Sequence, residues 1–529
     1  MSKILLIDPP TTRSLDFGSD KLRVGAVPPL GLAYIAAVLE QKKHEVKILD
    51  CTAEGILDGE KKIGNKLRYG LSDEEIKKFI SKFNPDVAGI SCLFSNKHFD
   101  TQNVARIVKE VSKDIVTIAG GMHPTVAPEM TLEDGYVDIV VLGEGEYTFR
   151  NLVNALKKKK DISRVDGIAF KRNEKIIKIP KKTYIENLDE LPLPARHLLK
   201  MDIYSKIASP HSGLKRTPFT SMITSRGCPI GCTFCSLREC WGNRFRPRSP
   251  DKVLEEIEIL IRDYEIKEIH FEDDNLTLDR KRAEKIFDGI IRRNLDITWN
   301  VPSGLSVFAL DGNLLEKMKE SGCYEISIAI ESGDQWVLNT LMRKPVDLTK
   351  VKPIVDKGRS LGFKVKGFFI IGLPGETKEH IERTVKFAAE TGLDWAHFFI
   401  ATPHLGTDLY RLCKEKGYIG KLDMEKSFFR GIITTPEFNP EYLEKVKERA
   451  NYDINFRNNV NMKEGKYDRA IEHFKSVVDL YPKLTFARFF LAEAYFKKGD
   501  KKNAIKEFEK VVELDPQNKE AQERIKELR

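Results

Sequence analysis

The sequence holds no apolar run close to the roughly 20 residues that a helix needs to span a bilayer, so no membrane-crossing segment is expected. Its start, Met1-Ser2-Lys3-Ile4-Leu5-Leu6-Ile7-Asp8, is a short apolar stretch stopped by an acid. A secretory signal reads differently, which leaves a cytoplasmic address as the expectation. Cysteine is scarce: eight in 529 residues do not make a disulfide framework, so those present are read as metal or redox residues. A strong charge of one sign is missing too. The net charge is +9 and the basic side chains are spread along the chain as solvated helix faces, so nucleic acid is not an expected partner. The one dense basic run, Lys157–Lys160, falls where a helix should end and suits the negative end of its dipole. The length exceeds what one core supports and implies two or three domains.

Residues 1–160 alternate apolar runs with amphipathic segments. Candidate strands are Lys3–Asp8, Val46–Leu49, Val87–Ser91, Ile115–Ala119 and Ile139–Leu142; candidate helices are Leu30–Glu40, Glu74–Phe83, Thr101–Val111 and Glu146–Leu156. That alternation implies an α/β fold, a Rossmann-like parallel sheet covered on both faces, with ligands at the carboxyl ends of its strands. Those ends read Asp8-Pro9-Pro10, Ser91-Cys92, Gly120-Gly121-Met122-His123-Pro124 and Gly143-Glu144-Gly145-Glu146. Residues 161–215 read as a linker containing a hairpin, then an extended stretch set by Pro192 and Pro194. From 216 to 430, strands near 219–225, 267–272, 297–301, 324–330, 365–371 and 395–400 alternate with helices, implying a partial (β/α)6 barrel of TIM type. Residues 431–450 read as a helical connector. In 451–529, Gly465–Phe474 recurs as Gly499–Phe508, and Pro482 and Pro516 close the units at the same 34-residue offset. The offset, with Ala470/Ala504 and Phe474/Phe508, resembles tetratricopeptide repeats. Two such α-helical units are marginal alone, so they are expected to dock on the rest of the chain or on a protein partner.

Cys228, Cys232 and Cys235 stand in the spacing C-x3-C-x2-C at the end of the first barrel strand. Gly227, Pro229 and Gly231 supply the turns that aim three thiolates at one point. Three thiolates on a [4Fe-4S] cluster leave one iron open to an outside ligand. A zinc site with Cys240 or a histidine as fourth ligand is the competing reading, although no second C-x2-C pair exists.

The spacing resembles that of the radical S-adenosylmethionine superfamily. The resemblance implies reductive cleavage of S-adenosylmethionine at the cluster to methionine and a 5′-deoxyadenosyl radical, with an external one-electron donor. It places Phe234 near the adenine. Gly367-Phe368-Phe369-Ile370-Ile371-Gly372-Leu373-Pro374-Gly375-Glu376 resembles the family's G-x-I-x-G-x-x-E motif, implying adenine-side roles for Gly367, Gly372 and Glu376. Ile330-Glu331-Ser332-Gly333 resembles a ribose-holding segment, with Glu331 and Ser332 as candidates. Where relatives carry Gly-Gly-Glu for the methionine amino group, this chain has Phe271-Glu272-Asp273-Asp274-Asn275, so Glu272 and Asp273 are both candidates.

An α/β sheet ahead of such a barrel resembles the cobalamin-binding subfamily. The phrases that carry this are Val27–Leu39, Gly120–Pro124 and Gly143–Glu146. The corrinoid contacts implied are Pro28, Ser91, Gly120, Gly121, Gly143, Glu144 and Gly145. The Asp-x-His-x-x-Gly signature of a histidine-ligated cobalamin is absent, because the second strand ends Leu49-Asp50-Cys51-Thr52-Ala53-Glu54. His123 is read as a structural residue capping a turn. The resemblance implies methylation of an unactivated carbon by way of methylcobalamin, or in some relatives ring formation or rearrangement without methyl transfer. The substrate classes implied are small molecules, lipids and tetrapyrrole-like compounds. A tRNA methylthiotransferase would need a third cysteine before the barrel, where only Cys51 and Cys92 occur. A repeat scaffold with a decayed core is at odds with the intact cysteine triad.

Overall fold

Strands buried on both faces need no polar alternation, and the apolar runs at the amino end form such strands. Ile4, Leu5, Leu6 and Ile7 are all fully buried. In the computed structural model, which describes residues 1–17, 24–207 and 213–529, they lie in a seven-stranded sheet. Residues 208–212 of the expected linker lie outside the described residues. Five parallel strands run in the spatial order Glu45–Asp50, Lys3–Asp8, Val87–Ser91, Val116–Gly120, Ile139–Val141. Ile4 and Leu6 face one core, with the helices Leu30–Glu40 and Glu146–Lys157; Leu5 and Ile7 face the other, with Asp73–Phe83 and His98–Val111. The period of two along the strand is what divides the cores. Chain order reverses between Lys3–Asp8 and Val87–Ser91, and a crevice opens at the carboxyl ends at such a switch.

The hairpin expected within the linker completes this sheet. Ile168–Arg172 pairs antiparallel with Ile139–Val141, and Lys175–Ile179 forms the edge. A second antiparallel sheet of Thr11–Ser14, Lys66–Tyr69 and Glu60–Ile63 has no counterpart in the sequence reading. Its strands have four residues each; Thr11–Ser14 and Glu60–Ile63 show no period of two, and Lys66–Tyr69 alternates over four residues alone.

The barrel has six parallel strands: Phe219–Met222, Glu268–Phe271, Thr298–Asn300, Glu325–Glu331, Lys364–Ile371 and Trp395–Ile400. Single parallel bridges at Trp299–Cys323 and Leu305–Ile328 join its two halves. A typical outer helix is Pro250–Tyr264. Ser249 caps it by accepting from Lys252 N, proline fits its first turn, and Val253, Leu254, Ile257 and Leu260 form its buried stripe. In Lys364–Ile371, Val365, Gly367, Phe369 and Ile371 are buried against the helices. The alternate set turns inward, where Lys366 pairs with Glu325 at 2.7 Å and the Phe368 ring meets His397.

An open barrel leaves an edge strand, a liability that proteins cover. Here the carboxyl-terminal segment covers it. Asn455 donates to Ala396 O and accepts from Ala396 N, both at 2.8 Å, as a neighbouring strand would. Asp394, just before that edge strand, accepts from Asn461 Nδ2 at 2.9 Å and lies 3.5 Å from Arg469. Lys364 pairs with Glu472 at 2.5 Å. Of the four helices Tyr467–Leu480, Thr485–Lys498, Lys501–Leu514 and Lys519–Leu528, the first is thus docked on the barrel and the others pack on it in turn, with Ala470, Phe474, Ala504 and Phe508 fully buried between them. No helix among the described residues is long and apolar enough to cross a membrane.

Candidate active site at the barrel mouth

The first barrel strand feeds the cysteine loop, whose course is fixed by four other segments. Gly227 has a φ of +81°, and a Cβ there would lie 2.3 Å from Arg244 O, so only glycine fits. Its N–H donates to Asp274 Oδ2 at 2.8 Å. Thr233 donates its N–H to Met342 O at 3.1 Å and its hydroxyl to Leu341 O at 2.7 Å, and its carbonyl accepts from Leu409 N at 2.9 Å. Cys228, Cys232 and Cys235 are half-buried and free, whereas the other five cysteines are buried. No three His, Cys, Asp or Glu side chains among the described residues are gathered to grip a single metal ion. A cubane cluster takes each thiolate on a different iron and so accepts the wider spacing of this loop. Cys240, the other ligand in the zinc reading, is buried beneath Gly143, and burial pushes its thiol up to about 12.

Lys344 was not singled out in the sequence, and the structure brings it to this loop. It is 7% exposed, its Nζ pairs with Glu331 Oε1 at 2.7 Å, and its charge acts on Cys232 and Cys235. Burial pushes the Cys232 thiol up to about 12 and Lys344 opposes that rise. Glu331, expected beside a ribose, is therefore ion-paired here. Its φ of +70°, at the point where the strand register shifts, is rare for a side-chain-bearing residue and costs about 1–3 kcal/mol. The only signal for Lys344 in the sequence is a lone lysine before Pro345, 13 positions past Glu331.

Most of the other candidates are engaged by contacts within the chain. Asp273 is fully buried and accepts from Thr224 N, Thr224 Oγ1 and Ser225 Oγ, so its carboxylate is used by its own chain. Glu272 beside it is half-buried. Ser332 bonds Thr384 Oγ1 at 3.0 Å and accepts from Asp334 N at 3.1 Å. Gly367 faces away from the barrel interior, where a Cβ would lie 2.5 Å from Leu393. Gly372 has a φ of +90° and meets Leu443 of the helix Pro440–Tyr452. Phe234 is half-buried against the barrel core.

Glu376 Oε2 accepts from Gly372 N and Leu373 N at 2.7 and 2.6 Å, shaping the loop, while buried Oε1 has no hydrogen-bond partner. That orphaned atom fits a site still to receive a polar ligand. Burial pushes Glu376 up to about 8, so its proton is held at neutral pH. A raised carboxyl pKa means that the folded state binds the proton more tightly than the unfolded chain. The stability it contributes is complete below the unfolded value and is lost as pH rises through about 8. Glu376→Gln is expected to flatten the fall in Tm between about pH 5 and about pH 9. A variant with the wild-type slope would contradict this assignment.

On the amino-terminal side, the loop after Val87–Ser91 exposes Leu93, Phe94 and, one turn later, Phe99, three large apolar side chains at the topological switch. That surface and the room beside Gly120, where a Cβ would meet nothing closer than 3.8 Å, fit a large ring system. Pro28 is buried, and Ser91 O accepts from Thr101 Oγ1 at 3.2 Å. Gly121, with φ +116°, is required by its own chain, since a Cβ would lie 2.6 Å from Cys92 O. A Cβ on Gly145 would lie 3.0 Å from Ile35. His123 is fully buried, bonded to Ser95 Oγ at 3.0 Å and pushed down to about 3 by burial, so it is neutral.

Glu144 has a different partner from the one expected. Its Oε1 accepts from Arg226 Nη1 at 3.0 Å and Arg246 Nη1 at 2.7 Å, and its Oε2 from Ile185 N at 2.8 Å. Glu146 Oε1 accepts from Arg226 Nη2 at 2.5 Å. The short antiparallel pairing of Ser225–Arg226 with Arg246–Pro247 sets the two arginines side by side. Trp241 and Tyr34 cover the Arg226 guanidinium at 4.9 and 5.5 Å. The Gly143–Glu146 phrase is thus a buried joint between the sheet domain and the residue that opens the cysteine loop.

Comparison with known proteins finds three matching families. The B12 binding domain family matches residues 23–153, the Radical SAM superfamily residues 222–388, and a tetratricopeptide repeat family residues 461–526. The cytidylyl-2-hydroxyethylphosphonate methyltransferase of Streptomyces wedmorensis is 36% identical, over 86% of this chain and 90% of its own. An uncharacterized methyltransferase of Pyrococcus horikoshii is 35% identical, over 87% and 94%. The cobalamin-dependent S-adenosylmethionine radical enzyme OxsB, solved with aqua-cobalamin and S-adenosylmethionine bound, shares the fold at a TM-score of 0.68 and 15% identity, covering 100% of this chain and 80% of that one. This chain belongs to the cobalamin-binding family of radical S-adenosylmethionine enzymes.

Proposed function

We propose that this protein is a cobalamin-dependent radical S-adenosylmethionine methyltransferase that methylates an unactivated carbon of a small-molecule substrate. The observation that carries the reading is the buried joint of Glu144 and Glu146 with Arg226 and Arg246, which ties the carboxyl edge of the sheet to the base of the cysteine loop. The chemistry when loaded is reductive cleavage of S-adenosylmethionine at a [4Fe-4S] cluster, hydrogen abstraction from the substrate, and methyl donation from a corrinoid.

The chain's own part is to hold and to exclude. Cys228, Cys232 and Cys235 would hold the cluster, and the Thr233 contacts fix their loop against Leu341, Met342 and Leu409. Lys344 and Glu331 place a compensated charge pair beside the thiolates. Glu376 keeps the Gly372–Gly375 turn in shape, and Glu272, half-buried after the second barrel strand, is the candidate for the methionine amino group. Gly120, with Leu93 and Phe94, offers the corrinoid surface. The methyl-transfer assignment also draws on the two relatives that carry methyltransferase names.

The test is anaerobic reconstitution with iron, sulfide and hydroxocobalamin, followed by turnover of methyl-labelled S-adenosylmethionine. Both 5′-deoxyadenosine and S-adenosylhomocysteine are expected as products. Protein that binds the cluster and forms 5′-deoxyadenosine without retaining corrinoid or releasing S-adenosylhomocysteine would overturn methyl transfer and leave ring closure or rearrangement.

A further inference from the structure

The cysteine loop is covered on one side by the sheet domain, where a Cβ on Gly406 would already touch Val126 and Glu239. The flank next to that contact is basic. Asp408, in the first turn of the helix Asp408–Glu415, receives three guanidinium groups: Arg238 Nη2 at 2.5 Å, Arg411 Nη2 at 2.5 Å and Arg343 Nη1 at 3.1 Å. Glu239 stands 3.6 Å from Arg238 Nε, so two carboxylates meet three guanidiniums and one positive charge is left over. Arg343 is 62% and Arg411 54% exposed, which leaves their remaining donors facing water.

This patch lies against the loop by direct contact of the backbone. Arg238 comes three residues after Cys235. Arg343 follows Met342, whose carbonyl takes the Thr233 N–H; Leu409, next to Asp408, donates to Thr233 O. All three arginines therefore sit on segments at the loop that holds Cys232 and Cys235. Asp408 fixes their heads in place, so the patch is formed before any partner arrives. Pro229, between the first two cysteines, is exposed and leaves the loop open at the surface.

We propose that this flank is the docking face for an acidic protein that delivers single electrons to the cluster. The inference rests on the radical reading above. The chemistry demands such a donor: it loses one electron, which passes through the cluster into the sulfonium. The S–C5′ bond then breaks, methionine keeps a lone pair, and the 5′ carbon keeps the unpaired electron. A surface with surplus guanidinium donors beside the entry point recruits a partner of opposite charge and speeds encounter, an effect that salt weakens.

The test uses the reconstituted full chain and two reductants, a reduced acidic flavodoxin and dithionite. In Arg343→Glu/Arg411→Glu, flavodoxin-driven 5′-deoxyadenosine formation is expected to fall about tenfold or more at low ionic strength. The wild-type rate should decline with added salt while that of the variant stays flat, and the dithionite-driven rates should match. Arg343→Gln/Arg411→Gln should fall between the two. Unchanged flavodoxin rates would overturn the proposal, as would an equal loss with both reductants, which would make the arginines props of the loop. Wild-type protein that forms no 5′-deoxyadenosine even with dithionite would instead overturn the radical reading.

Discussion

Cys232→Ala is expected to abolish both cluster absorbance in the reconstituted protein and 5′-deoxyadenosine formation, lowering turnover by about three orders of magnitude or more, to background. The reason is arithmetic among ligands. Three thiolates already leave one iron open, and removing one more leaves two anchors on a loop that is half-exposed. The substitution should spare the fold, because the loop is held through Thr233 and Gly227 and not through the thiol. Cys240→Ala is the matched control: it also removes a thiol, eight residues on, from a buried position under Gly143, and should leave the cluster spectrum unchanged. Deoxyadenosine production that survives in the Cys232 variant would sink the central assignment.

Arg226→Met should have the largest effect on stability, about 3–5 kcal/mol, because it strands a buried charge. The side chains of Glu144, Glu146, Arg226 and Arg246 are each no more than 5% exposed. Glu144 would keep Arg246, but Glu146 would lose the guanidinium that bonds it. Burial pulls the Glu146 carboxyl up, and Arg226 more than offsets that, so the group sits below its ordinary value. With a depressed pKa, its contribution is present above the unfolded value and is lost as pH falls through the folded one. Without Arg226 the sign should reverse, and the variant should gain stability on acidification toward the ordinary carboxylate range. Arg226→Met/Glu146→Leu, which removes both charges, should recover most of the loss, since an apolar replacement of a buried pair is close to neutral. Denaturant unfolding of the three proteins at two pH values measures all of this. A single variant as stable as wild type would show that the joint carries no energy.

Much of the architecture was legible because it is written in local periods. Apolar runs marked the parallel strands, the 34-residue recurrence marked the repeats, and the cysteine spacing marked the loop. The short strands Glu60–Ile63 and Lys66–Tyr69 were not legible, since the first shows no alternation and the second alternates over four residues alone. Motif glycines were legible as necessary but not as to why. Gly367 packs against Leu393, and Gly372 combines a φ of +90° with close packing on Leu443, contacts that no motif states.

The sequence by itself determined the thiolate set, the two α/β units and the helical repeats, because each depends on residues close together in the chain. Tertiary structure alone decided the partners of the buried charges. Glu144 reaches Arg226 across 82 residues and Glu331 is met by Lys344, pairings that depend on how strands are brought into register and not on any spacing along the chain. It also decided that the repeats lie on the barrel's open edge, through Asn455, Asp394 and Arg469. The cost of leaving a charge or a strand edge unpaired in a dry interface selects such contacts, and that cost exists only once the chain has folded.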